Sequence, residues 1–231
     1  MGTTLHLLSG GAAQGLVARL QPAFEAAHGC RVAGTYGAVG LMKDKLLAGA
    51  PCDLLVLSQA LVTDLVGQGR AEASSMAPVG VVKTGVAMKQ GAAPAVLRTG
   101  ADLKALLQRA PAIYFPDPEK ATAGIHFMKV LRALGLGEDA RKLRTFPNGA
   151  TAMAALAQAQ EAGAVGCTQV TEILFTPGVQ LTGLLPAPHE LATTYTAAVA
   201  AGSPQAALAR ELIAALTATD AAPVRKACGF D

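Results

Sequence analysis

TLHLLSGGAAQGLVARLQPAFEAAHG, residues 4–29, is a strand, a loop of small residues and a helix in succession. Residues 4–8, Thr-Leu-His-Leu-Leu, read as a strand. After the Ser9-Gly10-Gly11-Ala12 break, Leu16, Leu20 and Phe24 recur at helical spacing, with Val17 beside them, until His28-Gly29 stops the run. The pattern then repeats. Residues 31–36 predict a second short strand and 39–48 a second helix ended by Gly49. Residues 53–57, Asp-Leu-Leu-Val-Leu, predict a third strand whose continuous apolar run suits a parallel strand covered on both faces. Residues 59–67 add a helix in which Leu61 and Leu65, and Val62 and Val66, stand four apart. A βαβαβα succession implies right-handed crossovers and an α/β layer architecture.

Further along, residues 79–88 read as a long β segment interrupted at Lys83-Thr84-Gly85, where the chain crosses into a second lobe. Helices are expected over 101–110, 124–134 and 151–162, and strands over 112–115, 165–169 and 179–184. Residues 193–200 make the return crossing. Pro204 is expected at a first-turn position of a last helix carrying Leu208, Leu212, Ile213 and Leu216. The expected organisation is α/β, two Rossmann-like lobes joined by two crossing strands. Lobe 1 is 1–82 plus 193–231 and lobe 2 is 83–192.

Composition narrows the function classes. Of 231 residues 52% are apolar and only 15% charged, with 19 basic against 16 acidic side chains, which argues against disorder and against a dedicated nucleic-acid surface. Trp is absent and aromatics make up 4%, so base-stacking platforms are not expected. Cysteines 30, 52, 167 and 228 form neither a CxxC pair nor a dense disulfide framework, and histidines 6, 28, 126 and 189 lack metal-ligand spacing; no metal and no cofactor is expected. No membrane insertion is expected either, because Gly-Ser-Pro-Gln at 202–205 cuts the uncharged run 191–209. Residues 1–18 lack the basic start of a secretory signal, so the chain as written reads as cytoplasmic, and periplasmic if a leader has been removed.

The chemistry is expected in four loops that each join a strand to an Ala-rich helix: Ser9-Gly10-Gly11-Ala12, Tyr36-Gly37-Ala38-Val39-Gly40, Ala121-Thr122-Ala123-Gly124 and Asn148-Gly149-Ala150-Thr151. Small residues let an anion approach the unpaired amides and the positive end of a helix dipole. In open α/β sheets the carboxyl ends of the strands are where ligands sit. Each loop also has a plain reading, as an ordinary turn and N-cap.

LHLLSGGAAQGL, TYGAVGLMKDKLLAGAPCDLLVLS, FPDPEKATAGIHFMKVLRALGL and GAVGCTQVTEILFTPGVQLTGLLP together resemble the solute-binding proteins of the molybdate-binding type, in order and spacing over nearly the whole chain. The resemblance implies a type II periplasmic-binding-protein fold that closes around a small oxyanion or carboxylate, with an ABC transporter as partner if the protein is exported. Ser9 matches the family's first-loop hydroxyl, and Tyr36-Gly37-Ala38-Val39 takes the second-loop position. Ala38 and Val39 stand where molybdate binders carry serine, so this loop offers only backbone donors. Gly10, Gly11, Thr122, Ala123, Asn148, Gly149, Thr168 and Gln169 complete the expected ligand set.

Proteins similar to this family include aconitate isomerase, a cofactor-independent enzyme that shifts a double bond in a polycarboxylic acid. Such an activity needs a group that moves a proton between carbons. His126, one turn inside a helix whose dipole disfavours the imidazolium, is the candidate shuttle, or else a solvated histidine. Lys83 could neutralise a ligand carboxylate or be a solvated charge. Asp117, between Pro116 and Pro118, reads as a turn or cap residue, or as a carboxylate orienting Lys83 or His126. Cys167 reads as buried packing. Tyr195 either donates its phenol to the ligand or packs.

Overall fold

The structure, a computed structural model, describes residues 2–93, 95–137 and 139–231. The chain divides into two compact units, Met1–Val82 with Thr193–Asp231, and Lys83–Ala192.

Unit 1 is built from β1 (Thr3–Gly10), α1 (Gln14–His28), β2 (Cys30–Gly37), α2 (Val39–Leu47), β3 (Leu54–Ser58) and α3 (Gln59–Gly67). The start of β4 (Ala77–Lys89), then β9 (Ala192–Val199), α8 (Ala206–Thr217) and α9 (Ala222–Ala227) complete it. The strand order is β2-β1-β3-β9-β4. β1 runs parallel to both β2 and β3, and β9 is antiparallel to β3. Leu5, Leu16, Val17, Leu54, Leu55, Val56, Leu57, Leu212 and Leu216 are all fully enclosed, so sheet and helices share one core, each such side chain contributing about 1.5–3 kcal/mol by burial. Gly29, at φ 59° in the left-handed region, ends α1. Asp53 ties the unit together below the site: its carboxylate accepts the His6 N–H and the Ser203 hydroxyl, each at 2.7 Å.

Unit 2 contains the remainder of β4, α4 (Gly100–Arg109), β5 (Ile113–Pro116), α5 (Thr122–Ala133), β6 (Leu143–Phe146), α6 (Gly149–Gln158), β7 (Val165–Gln169), α7 (Val170–Phe175) and β8 (Val179–Leu184). Its order is β4-β7-β5-β6, with β8 also on β4. β5 is parallel to β6 and β7, while β4 is antiparallel to β7 and β8. Side chains alternate between two cores. Val86 and Cys167 join Leu103, Phe115 and Phe127 on one face, and Ala87 joins Ala152, Met153 and Leu156 on the other.

β7 and β8 have the bounds their sequence pattern gives. β4 departs from expectation, running unbroken for 13 residues. Lys83-Thr84-Gly85 continues the strand because the Thr84 main chain is bonded, its N–H donating to the Leu191 carbonyl (2.9 Å) and its carbonyl accepting from Leu185 (3.1 Å), while Thr84 pairs in register with Gln169 of β7. Pro204 also lies elsewhere than expected, in a turn before the N-cap Gln205 rather than inside the first turn of α8. β6, α7 and α9 have no counterpart in the sequence reading.

Candidate functional site

In unit 1 the register of β1 on β2 aligns Ser9 with Tyr36 and Gly10 with Gly37. Both strands end there, and a single 3₁₀ turn (Gly11–Ala13) leads into α1 while Ala38 alone precedes α2. Two helix starts therefore stand side by side at the carboxyl edge of a parallel pair. Neither N-cap, Ala13 or Ala38, supplies a side-chain hydrogen bond to these dipole ends. β3 brings a third start to the same edge, where Ser58, the N-cap of α3, pairs with Tyr195 of β9. Ser58 was not among the expected residues; a serine ending an apolar strand directly before a helix was the available signal.

The edge is tightly packed. A Cβ on Gly10 would lie 2.8 Å from Val39 Cγ1 and 3.0 Å from Tyr195 Cε1, so only glycine lets α2 and β9 approach the end of β1 this closely. Tyr195 is buried, its ring edge-on to Phe230 at 6.4 Å. Ser9 is fully buried and its hydroxyl donates to the Gly10 carbonyl at 2.9 Å. Tyr36 lays its ring back over Gly34, and burial pushes its phenol up to about 12.

In unit 2 the carboxyl ends of β5, β6 and β7 share one edge, because Pro116 pairs with Phe146 and Tyr114 with Gly166. α5 begins there with Ala121 as N-cap and no side-chain cap. Asp117 organises the turn before it, accepting the N–H groups of Glu119 (2.7 Å) and Lys120 (2.9 Å) on Oδ1. Gln169 ends β7, is buried, and pairs in register with Thr84. The Thr84 hydroxyl, on a residue 1% exposed, has no hydrogen-bond partner among the described residues.

The start of α6 is different. Asn148 Oδ1 accepts the Thr151 N–H at 2.9 Å in a capping box. The Glu172 carboxyl lies against this helix start: a Cβ on Gly149 would overlap its Oε2, and it accepts the Thr168 hydroxyl at 2.5 Å. Burial pushes the Glu172 carboxyl above its ordinary value, and hydrogen bonding, the Thr168 hydroxyl first, pulls against that rise. Asn148 and Thr168, expected as ligand donors, thus have internal partners, and Gly149 is covered by the Glu172 carboxyl. Glu172 itself was missed, although it is the only Asp, Glu, Lys or Arg between Glu161 and Glu190.

His126 is half-buried in α5, and its Nε2–H donates to the His189 carbonyl at 2.8 Å, which leaves Nδ1 as the acceptor nitrogen. Lys83 is exposed on β4, one residue before Thr84. Cys167 is fully enclosed in the apolar core, and burial holds its thiol well above the ordinary value. Among the described residues no group of three or more His, Cys, Asp or Glu side chains is placed to hold a metal ion, and no helix is long and apolar enough to cross a membrane.

Residues 5–231 match the family described as bacterial extracellular solute-binding protein. The periplasmic molybdate-binding protein of Azotobacter vinelandii superposes with a TM-score of 0.82 over 98% of each chain, at 18% identity. The sulfate-binding protein of Mycobacterium tuberculosis superposes with a TM-score of 0.77 over 99% of this chain and 86% of the other, at 20% identity. These likenesses establish the type II periplasmic-binding-protein fold. Aconitate isomerase from a Pseudomonas species is 26% identical over 232 aligned residues, covering 95% of this chain and 84% of the isomerase.

Proposed function

The chain belongs to the bacterial extracellular solute-binding protein family, and from that premise we propose that it reversibly captures a small oxyanion or carboxylate. The donors are the helix-start amides and hydroxyls at the carboxyl edges of its strands. The observation that carries this reading is the register Ser9 on Tyr36 and Gly10 on Gly37, which sets two helix starts without side-chain caps next to each other. Ser9, Gly10, Gly11, Tyr36, Gly37, Ala38 and Val39 are the candidate donors of unit 1. Thr122, Ala123 and Gln169 are the candidate donors of unit 2. Oxygens of an anion accept from such amides in charge-assisted bonds about twice as strong as neutral ones. Delivery to an ABC-type transporter is the partnership that family membership supports.

Thermal-shift screening against molybdate, sulfate, citrate, cis-aconitate and trans-aconitate tests the reading. A ligand at 100 times its dissociation constant adds about 2.7 kcal/mol, which at about 2–4 °C per kcal/mol for a chain of this size raises the melting temperature by about 5–11 °C. A panel that leaves the melt unmoved at millimolar concentration overturns it.

The likeness to aconitate isomerase favours a second reading, proton transfer on a bound polycarboxylate. His126 is the shuttle in this reading, through Nδ1, and Lys83 neutralises a substrate carboxylate. Incorporation of solvent deuterium into aconitate is then expected, and His126→Ala abolishes it; undiminished exchange in that variant removes His126 from the role.

A further inference from the structure

The two long helices that start at the carboxyl edge of unit 2 treat their first-turn amides differently. α5 has no side-chain cap at Ala121. At α6 Asn148 takes the Thr151 amide at 2.9 Å, and the Glu172 carboxyl lies over the start of the helix at Gly149. The seat is closely fitted. A Cβ on Gly149 would overlap both the Glu172 carboxyl and the Thr168 hydroxyl, and Glu172 is only 6% exposed. A chemical group of the kind an anion-binding protein captures is therefore already in place at α6, carried by the chain itself.

We propose that Glu172 is a selectivity element: its carboxyl group fills the anion seat of α6 and withdraws that helix start from the ligand, which leaves α5, Gln169 and Thr84 as the ligand donors of unit 2. This rests on the anion-binding reading above and narrows its ligand class. A tetrahedral dianion presents acceptors in four directions and loses most when a helix start is withdrawn. A planar carboxylate presents two oxygens and is satisfied by fewer donors. The buried Thr84 hydroxyl, which has no partner among the described residues, suits a further oxygen of a ligand carrying more than one polar group. The favoured class is a small organic acid with two or more oxygen-bearing groups.

The test compares wild type, Glu172→Ala, Glu172→Asp and Glu172→Gln by calorimetric titration with molybdate, sulfate, citrate and cis-aconitate, and by thermal melts in sodium formate with chloride as control. Wild type is expected to bind the organic acids more tightly than the tetrahedral dianions and to show no formate-specific melt shift. Glu172→Ala empties the seat, so formate is expected to raise its melting temperature by several degrees, and the ratio of dianion to organic-acid affinity is expected to rise about tenfold, the effect of about one charge-assisted hydrogen bond. Glu172→Gln, which keeps the seat filled, is expected to show no formate effect. Should the alanine variant stay unfolded even in formate, Glu172→Asp decides, with a formate shift and a rise of about threefold expected from its shorter reach. A folded alanine or aspartate variant with neither formate rescue nor a changed ratio overturns the proposal. If wild type binds none of the four anions, the anion-binding reading fails, while formate rescue still reports separately on the seat.

Discussion

Gly124→Ala probes how tightly unit 2 fixes the start of α5. Gly124 is the third residue of that helix, and a Cβ there would overlap the carbonyl oxygens of Pro116 and Asp117 and lie 2.7 Å from the Asp117 carbonyl carbon. These are backbone atoms, and they have little freedom to yield. Asp117 is held by the turn in which its Oδ1 accepts two amides, and its carbonyl accepts the Ala121 N–H at 3.2 Å. The helix must slide outward instead, disturbing Phe127 and Leu131, both fully enclosed. Overpacking of this kind costs about 1–3 kcal/mol or more, and the helix propensity gained from alanine returns at most about 1 kcal/mol. A net loss of about 2 kcal/mol lowers the melting temperature by about 4–8 °C in a chain of this length. Gly67→Ala is the matched control: it also lies in a helix, but nothing stands within 4 Å of its added Cβ. It is expected to be neutral or stabilising by up to about 1 kcal/mol. Circular-dichroism melts of the two variants suffice. A Gly124→Ala protein that melts within a degree of wild type refutes the close docking of α5 on the end of β5.

Asp53→Ala strips the acceptor from the His6 amide and the Ser203 hydroxyl, and a loss of about 1–3 kcal/mol is expected in urea unfolding, from two half-buried donors left unpaired. Glu172 makes stability depend on pH. Its folded-state value is raised by burial, so between the ordinary value of 4.5 and that raised value the folded protein binds more protons than the unfolded chain. Its contribution is full below 4.5 and is lost as pH rises through the folded value, and Glu172→Gln is expected to flatten that part of the unfolding free energy curve. In a native thiol titration near pH 8, Cys167 is expected to stay silent until the protein is denatured, and Cys52, whose thiol is pushed up to about 12 by burial and donates to the Leu54 carbonyl, is expected to react slowly.

Much of the fold was legible because burial on both faces writes continuous apolar runs, as in Leu54–Ser58 and Val165–Gln169. β6 carries no such signal: Leu-Arg-Thr-Phe lies at the end of the strand order, with no residue fully buried, so polar side chains replace the apolar run. α7 is a single helical segment of 6 residues following β7 without a break, too short to establish a period. The interruption read at Lys83-Thr84-Gly85 came from composition, and the main-chain bonds of Thr84 to Leu185 and Leu191, with its register on Gln169, overrode it. At the site, the small-residue loops were visible because glycine and alanine mark close approach, at Gly10 above all. The capture of the α6 start by Glu172 was not visible, because it depends on α7 folding back beside α6, a tertiary contact that local spacing does not encode.

The central claim is that strand-end amides receive an anion. An amide-resolved NMR titration of the isotope-labelled protein with citrate and, separately, molybdate tests it most directly. The account predicts saturable shifts concentrated on the amides of Gly10, Gly11, Val39, Thr122 and Ala123, with those of Gly149 and Ala150 little moved. Shifts that leave those five amides untouched, or that fall mainly on α8 and α9, would contradict it.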